Sequence, residues 1–353
     1  MRKLVYKVLG TLPWAIPHVV PRLHPLWTLG RVIRRQKILD AATREQLKRK
    51  LELRPRVVDI ETSNVCNARC TFCAYEFREK PPRIMGLPDF VRLLDRLHDY
   101  EGMELSFTPV VGDPLLDKTL VDKIRLASQT GIVSSIAFAT NLLGLGRHEV
   151  RDLLLSGLSW MIVSTSIGSR DMYRRIYGVD RYDKALNNLV TLLKTNKMLG
   201  EPVRIGVHLK CEKPFSQVYS SPDYQRIVKL YGSFLAIADD EDYMNWTGLI
   251  DDSSAPKGVG LRKITPRTEP CEQFYTGLQV YSDGTVGLCR CVDVNAKLAI
   301  GNLFRQDLRS IWEGAEVKLL RDKWVNGIIP EICQKCTMYS PISTYIERQR
   351  RTL

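Results

Sequence analysis

The stretch SNVCNARCTFCAYEF, residues 63–77, sets three thiols at Cys-x3-Cys-x2-Cys: Cys66, Cys70 and Cys73. A structural zinc site closes with four protein ligands, and so does a fully protein-ligated [4Fe–4S] cluster. Three local thiolates instead leave one coordination position for a ligand that is not protein. A second, wider set follows. Cys271 and Cys289 have 17 residues between them, and Cys333 and Cys336 close the set as Cys-x2-Cys. Four such thiols suit either a zinc ribbon or an iron–sulfur cluster. Cys291 lies two residues beyond Cys289, so on an extended strand it faces the same side. It either replaces Cys289 as a ligand or remains a spare thiol beside a substrate. The nine cysteines are odd in number and clustered, unlike a disulfide framework. With no apolar leader ending at a small-residue cleavage site, the chain reads as cytoplasmic, where close-set thiols bind metal or do catalysis.

The elements that position these residues follow from periodicity. The chain has 353 residues, of which 44% are hydrophobic and 26% charged, as in a folded protein with a sizeable core. Predicted strands are 57–63, 103–109, 134–141, 160–167, 203–210 and 233–239, with amphipathic stretches such as FVRLLDRLHDY and HEVRDLLLSG between them. Six strands alternating with helices predict an α/β unit over residues 57–250, a partial (β/α)6 barrel with parallel strands and right-handed crossovers. Its chemistry belongs at the carboxyl ends of the strands, where Cys66 begins just beyond strand one. Residues 251–270 read as a linker. A small C-terminal α+β domain over 271–340 carries the second cysteine set and includes GLQVYSDGTVGLC, a hairpin turning at Asp283-Gly284. It continues through the helical DLRSIWEGAEVKLLRDKW, and residues 341–353 form a basic tail.

The three-cysteine loop, with Phe72 directly before its last cysteine and its place after strand one, resembles the radical S-adenosylmethionine superfamily over residues 57–250. The resemblance implies that Cys66, Cys70 and Cys73 hold three irons of a [4Fe–4S] cluster. The fourth iron then takes the amino and carboxylate groups of S-adenosyl-L-methionine. One electron cleaves the sulfonium to methionine and a 5′-deoxyadenosyl radical, which abstracts a substrate hydrogen atom. The family's Gly-Gly-Glu-Pro segment, which supports the methionine amino group, is matched by Val111-Gly112-Asp113-Pro114. Valine replaces its first glycine and aspartate its glutamate. Thr140 and Asn141 at the end of strand three, and Ser164 and Ser166 near the end of strand four, match positions that contact ribose or the methionine carboxylate. Ordinary strand-end polarity is the alternative for each. The second cysteine set, with Gly284 five residues before Cys289 and the run IGNLFRQDLRSIW, resembles the shortened SPASM domain called Twitch. That implies one auxiliary [4Fe–4S] cluster held by Cys271, Cys289, Cys333 and Cys336.

Period-two alternation predicts an inner face. Gly206, His208 and Lys210 share one side of strand five, while Val207, Leu209 and Cys211 share the helix-covered side. His208 and Lys210 are therefore expected to face the cavity as catalytic or substrate-holding groups. Asp59, Glu61 and Ser63 turn inward together. They either hold a hydroxylated or anionic substrate or satisfy one another, the second reading being favoured for Asp59. Cys211 is expected to be a small buried residue, so Cys291 is the better candidate for a hydrogen-donating thiol. Tyr243-Met244-Asn245-Trp246 is a candidate pocket wall.

The basic character sits at one end. Residues 1–56 carry 14 Lys and Arg against 3 acids, and residues 57–353 carry 38 against 36. Prolines 13, 17, 21 and 25 interrupt the apolar part of this arm, so it cannot be one transmembrane helix. Trp14 and Trp27 beside a Lys/Arg cluster suit peripheral membrane contact, and a solvated arm is the alternative. The near-neutral body carries no nucleic-acid motif. The resemblance implies a radical enzyme drawing electrons from a reductant such as flavodoxin or ferredoxin. Its substrate is expected to be a polar small molecule, anionic or lipid-linked among the options, and it is oxidised or epimerised. Modification of a ribosomal peptide is the second expectation. A non-catalytic zinc protein with a nucleic-acid- or membrane-binding arm is the reading from another class.

Overall fold

A computed structural model of the chain describes residues 54–230, 237–238 and 242–351. The arm therefore lies almost wholly outside the described residues, as does most of the sixth predicted strand. Residues 51–353 form one compact unit.

The β-rich runs pair as expected. Strands β1 (Val57–Ile60), β2 (Met103–Ser106), β3 (Val133–Thr140), β4 (Trp160–Thr165), β5 (Arg204–Leu209) and β6 (Ile237–Ala238) lie in sequence order and are all parallel. Strands β1, β2 and β4 stop two or three residues short of their predicted ends. The residues beyond turn into the loops that carry polar side chains.

On the far side of β1 the sheet continues with β7 (Gly277–Val280), β8 (Thr285–Gly287) and β9 (Ala299–Asn302), so it runs β6-β5-β4-β3-β2-β1-β7-β8-β9. β7 is parallel to β1 in register Val57↔Gly277, and the β7–β8–β9 meander is antiparallel. Gly277 permits the join, since a Cβ there would lie 2.2 Å from the Val57 carbonyl oxygen. The predicted turn is present: the Gly284 amide donates to Tyr281 O at 2.9 Å with φ +80, where glycine is favoured.

The crossovers are amphipathic helices: α1 (Leu87–Asp95), α2 (Leu120–Gln129), α3 (Val150–Leu154), α4 (Arg170–Tyr177) and α5 (Tyr182–Met198). α5 buries Ala185, Leu189, Leu192, Leu193 and Asn196, the one-face spacing of a 3.6-residue period. The Ser169 side chain caps α4 by accepting from the Met172 amide at 3.1 Å, and left-handed Gly178 ends it. The single helical run expected over 307–324 is two helices, Leu308–Trp312 and Ala315–Val325. Between them a Cβ on Gly314 would come within 2.8 Å of the Ser310 carbonyl oxygen.

The two faces of the parallel sheet differ as alternation requires. Leu105, Ile136, Phe138, Met161, Val163 and Val207 are buried against the helices, whereas Ser106, Ala137, Ala139, Ile162, Ser164 and His208 are half-buried on the inner face. Small side chains there leave an open lumen. No helix among the described residues is long and apolar enough to cross a membrane.

Glu61 shows how the lumen wall and the hairpin are tied. Its buried carboxylate accepts from the Ser282 amide at 3.1 Å and the Ser282 hydroxyl at 2.9 Å. Burial pushes this carboxyl up from 4.5 to about 7, with the Ser282 hydrogen bonds and Lys80 opposing. Between those values the folded chain binds the proton more tightly than the unfolded chain. Stability therefore falls as pH rises from about 4.5 to about 7, by up to about 3 kcal/mol. Glu61→Gln keeps an acceptor oxygen without the titration. Denaturant midpoints are expected to favour the variant increasingly from pH 5 to 8, and a pH-independent difference would overturn this account.

Candidate functional site

The three-cysteine loop leaves β1 and is fixed by backbone contacts of its own. The amides of Arg69 and Thr71 donate to the carbonyls of Tyr177 and Ile176, each at 2.9 Å, at the end of α4. Gly178 lets the loop approach: it has φ +66, and a Cβ would sit 2.3 Å from Arg69 O. The Cys66 amide donates to the Tyr75 hydroxyl at 3.1 Å, and the Cys73 amide to Cys70 O at 3.1 Å. The Asn64 side chain braces the far arm through Pro81 O at 3.0 Å and the Arg83 amide at 2.7 Å.

Phe72 stands where an aromatic was expected and is enclosed by others. Its ring is 5.6 Å from Tyr177, edge-on, and 5.3 Å from Tyr243, and its carbonyl accepts from the Trp246 indole at 2.8 Å. The Tyr243–Trp246 run is thus the wall over this loop. Lys210 lies 4.8 Å above the Tyr243 ring and 5.9 Å from Phe72, which brings the end of strand five to the cysteines. His208, two residues earlier, faces the lumen beside Ser164.

The loop after β2 is built around Gly112 and Asp113. At Gly112 φ is +132, and a Cβ would fall 2.5 Å from Ser63 O, so this glycine lets the loop lie directly on the strand-one segment. The Asp113 amide donates to Val65 O at 2.8 Å. Its carboxylate, 1% exposed, accepts from the Asn141 amide at 2.8 Å, the Thr140 hydroxyl at 2.9 Å and the Leu115 amide at 3.0 Å. Burial pushes the Asp113 carboxyl up to about 6 against these hydrogen bonds. The carboxylate therefore holds the end of β3, and Pro114 opens a buried 3-10 turn directly after it. Asn141 carries the connection onward, its amide lying 3.6 Å from Cys66 Sγ and 2.9 Å from Asn67 Oδ1. Ser164 bonds the Tyr177 hydroxyl at 3.1 Å, whereas Ser166 is buried and turned toward Cys211 at 3.8 Å.

The second thiol set surrounds a small cavity lined by Cys271, Cys289, Cys291, Cys333 and Cys336 with Phe274, Trp324 and Tyr339. β8 ends at Gly287, so Cys289 and Cys291 lie on a bend rather than the extended strand expected, yet both reach this cavity. Burial raises all five thiols, Cys271 to about 11 and Cys289 to about 12. On the first loop it carries Cys73 to about 11 and Cys66 to about 12. Only a bound metal would draw these groups out as thiolates. Among the described residues no three Cys, His, Asp or Glu side chains converge on a single ion. Three thiols on one loop and a thiol set around one cavity are the donor chemistry that iron–sulfur clusters take.

Residues that sequence reasoning did not single out connect the two centres. Arg290, between Cys289 and Cys291, turns inward and meets Asp59 of β1 at 3.1 Å. Asp59 is thus paired within the lumen wall, as the second reading of it expected. Burial still raises its carboxyl, with Arg290 opposing. A lone arginine between two cysteines carries no periodic signal, and only the β1–β7 pairing reveals its partner. Gly178 had one cue, a glycine closing a helical run that starts with serine.

Comparison with known proteins agrees with this geometry. Residues 60–199 match the radical SAM superfamily and residues 271–337 match SPASM, an iron–sulfur cluster-binding domain. The chain therefore carries a radical SAM domain followed by a SPASM domain. These two domains imply S-adenosylmethionine with the [4Fe–4S] cluster that binds it, and an auxiliary [4Fe–4S] cluster. An uncharacterized protein of Treponema pallidum (strain Nichols) is 23% identical over 278 residues, 72% of this chain and 70% of that protein. A GTP 3',8-cyclase of Chlorobaculum tepidum is 26% identical over 138 residues, and the match spans 39% of this chain and 41% of the cyclase. The structure of BtrN in complex with AdoMet and 2-DOIA has a TM-score of 0.53 at 18% identity, covering 82% of this chain and 95% of that one. Native anSMEcpe with bound AdoMet and Cp18Cys peptide has a TM-score of 0.51 at 15% identity, covering 80% and 89%. These structural likenesses are of fold.

Gly178→Ala tests how the first loop is held. The added methyl is expected to push Arg69 away and lower iron from about eight to about four per chain, with the auxiliary cluster retained. Iron and sulfide assays with electron paramagnetic resonance read this directly, and full iron content in the variant would overturn it.

Proposed function

We propose that this enzyme oxidises a secondary alcohol of a sugar, aminocyclitol or related polar small molecule to a ketone. In this reading Cys66, Cys70 and Cys73 ligate the cluster that binds S-adenosylmethionine. Phe72, Gly112, Asp113, Pro114, Thr140, Asn141 and Ser164 shape the seat of that nucleotide. Ser166 is a lesser candidate, being buried against Cys211. Cys271, Cys289, Cys333 and Cys336 ligate the auxiliary cluster, which leaves Cys291 as a fifth thiol in the same cavity.

When bound, these groups supply a hydrogen-abstracting radical and an electron acceptor. The chain's own residues do the rest. His208 and Lys210 face the lumen and hold substrate hydroxyls, and one of them takes the hydroxyl proton as the carbon becomes a carbonyl. The substrate thereby loses one hydrogen atom, one proton and one electron.

The observation that carries this reading is the fully described set of nine cysteines. Three lie on the loop, five surround the auxiliary cavity, and Cys211 is 2% exposed and bonded to Ser166. Returning a hydrogen atom to the substrate, as epimerisation requires, needs a hydrogen donor, and Cys291, within electrostatic reach of Asp59 of the lumen wall, is the thiol placed for that competing outcome. Oxidation needs only the electron acceptor, and Arg290, between Cys289 and Cys291, meets Asp59 of the lumen wall. BtrN, with a 2-DOIA complex, supports a small-molecule substrate, and anSMEcpe with its peptide is the competing precedent.

Anaerobic incubation with deuterated cyclitols and sugars tests the reading. Deuterium is expected in 5′-deoxyadenosine together with a ketone product. Recovery of an epimer, or deuterium transfer from a peptide alone, would replace this proposal. His208→Ala and Lys210→Met are expected to keep both clusters yet lower kcat/KM for the substrate about 100-fold.

A further inference from the structure

The outer side of the cysteine loop carries a charge pattern that the reaction in the lumen does not use. A cleft of about 480 Å³ is lined by Asn67, Leu143, Gly144, Arg147, Arg181 and Lys184. Its three cations come from two elements, Arg147 from the loop after β3 and Arg181 and Lys184 from the cap and first turn of α5. All three are exposed. Neighbouring cations are engaged: Arg170 pairs with Asp183, Arg174 with Asp171 and Arg175 with Glu212. The three in the cleft are paired with no carboxylate among the described residues. Glu149, Asp180 and Asp183 are the exposed acids nearest in sequence, and Asp183 is held by Arg170. Residues 57–353 are nearly balanced, with 38 Lys and Arg against 36 acids, so this grouping is local rather than a sample of a basic surface.

The cleft wall also adjoins the thiol loop. Asn67 follows Cys66 directly, and its side chain accepts from Asn141, whose same amide lies 3.6 Å from Cys66 Sγ. We propose that this cleft is the docking surface for an acidic one-electron carrier protein that reduces the cluster on Cys66, Cys70 and Cys73. The inference rests on the reading of that loop as a redox-active centre. Exposed, long cations at an open cleft steer a transient partner of opposite charge, and a short-lived electron-transfer encounter needs little more. Lys210 meets the loop at Phe72, whereas the cleft meets it at Asn67, so the two engage different residues of the loop.

The test uses the full chain loaded with both clusters, flavodoxin hydroquinone as the protein donor and dithionite as the small one. In Arg147→Glu/Arg181→Glu/Lys184→Glu, the second-order rate at which flavodoxin bleaches the cluster absorbance is expected to fall at least tenfold at low ionic strength. The wild-type rate is expected to drop with added salt and the variant rate to be insensitive to it. Dithionite reduction and dithionite-driven 5′-deoxyadenosine formation should stay within twofold. An unchanged, salt-insensitive flavodoxin rate overturns the proposal. Should the triple variant lose iron, Arg147→Gln/Lys184→Gln and calorimetric flavodoxin binding decide instead, and unweakened binding overturns it. Wild type that takes up electrons but makes no 5′-deoxyadenosine with either donor refutes the enzymatic reading while leaving the docking result standing.

Discussion

Strand β1 is hydrogen-bonded on both sides, to β2 within the barrel and to β7 of the C-terminal meander, and this pairing fixes the rest of the molecule. Its carboxyl end delivers the three-cysteine loop. Its flank delivers the hairpin from which Cys289, Arg290 and Cys291 follow. The spacing between the two thiol sets is therefore a property of one continuous sheet rather than of a hinge between domains. The pairing depends on a single atom's worth of room at Gly277, where a side chain would occupy the position of the Val57 carbonyl.

Buried polar groups secure the junction at a free-energy cost. The carboxyls of Asp59, Glu61 and Asp113 are all raised by burial, each against the hydrogen bonds or cation that partner it. Such groups contribute little net stability, and breaking one partner is far worse than never having had the pair. What they specify is geometry. Asp59 sets where Arg290 points, Glu61 sets the hairpin turn through Ser282, and Asp113 sets Thr140 and Asn141 against Cys66. The shorter aspartate in place of the family's glutamate is thus spent on holding a strand end. That role was invisible without the approach of the β2 loop to β3.

Much of the fold was legible because periodicity and punctuation speak locally. Alternation located β2 to β5 to within a few residues, Asp283-Gly284 announced its turn, and the inward side of strand five followed from counting by twos. The thiol spacings revealed both centres. What stayed hidden was non-local. The extended run carrying Cys289 and Cys291 breaks after Gly287, where β8 loses its register with β9. The helix over 307–324 divides because Gly314 fits where a Cβ would meet the preceding turn. Neither Arg290 nor the cations of the outer cleft stand out among 52 Lys and Arg until the chain brings them to a thiol-bearing loop.

The first cysteine loop is tied to the end of a helix and to a tyrosine hydroxyl. Part of the ordering entropy of that segment is therefore lost when the polypeptide folds. A centre lost to oxygen would leave behind a socket still in outline, open to fresh iron and sulfide, so that repair would ask for delivery alone and spare the chain a return through its unfolded forms.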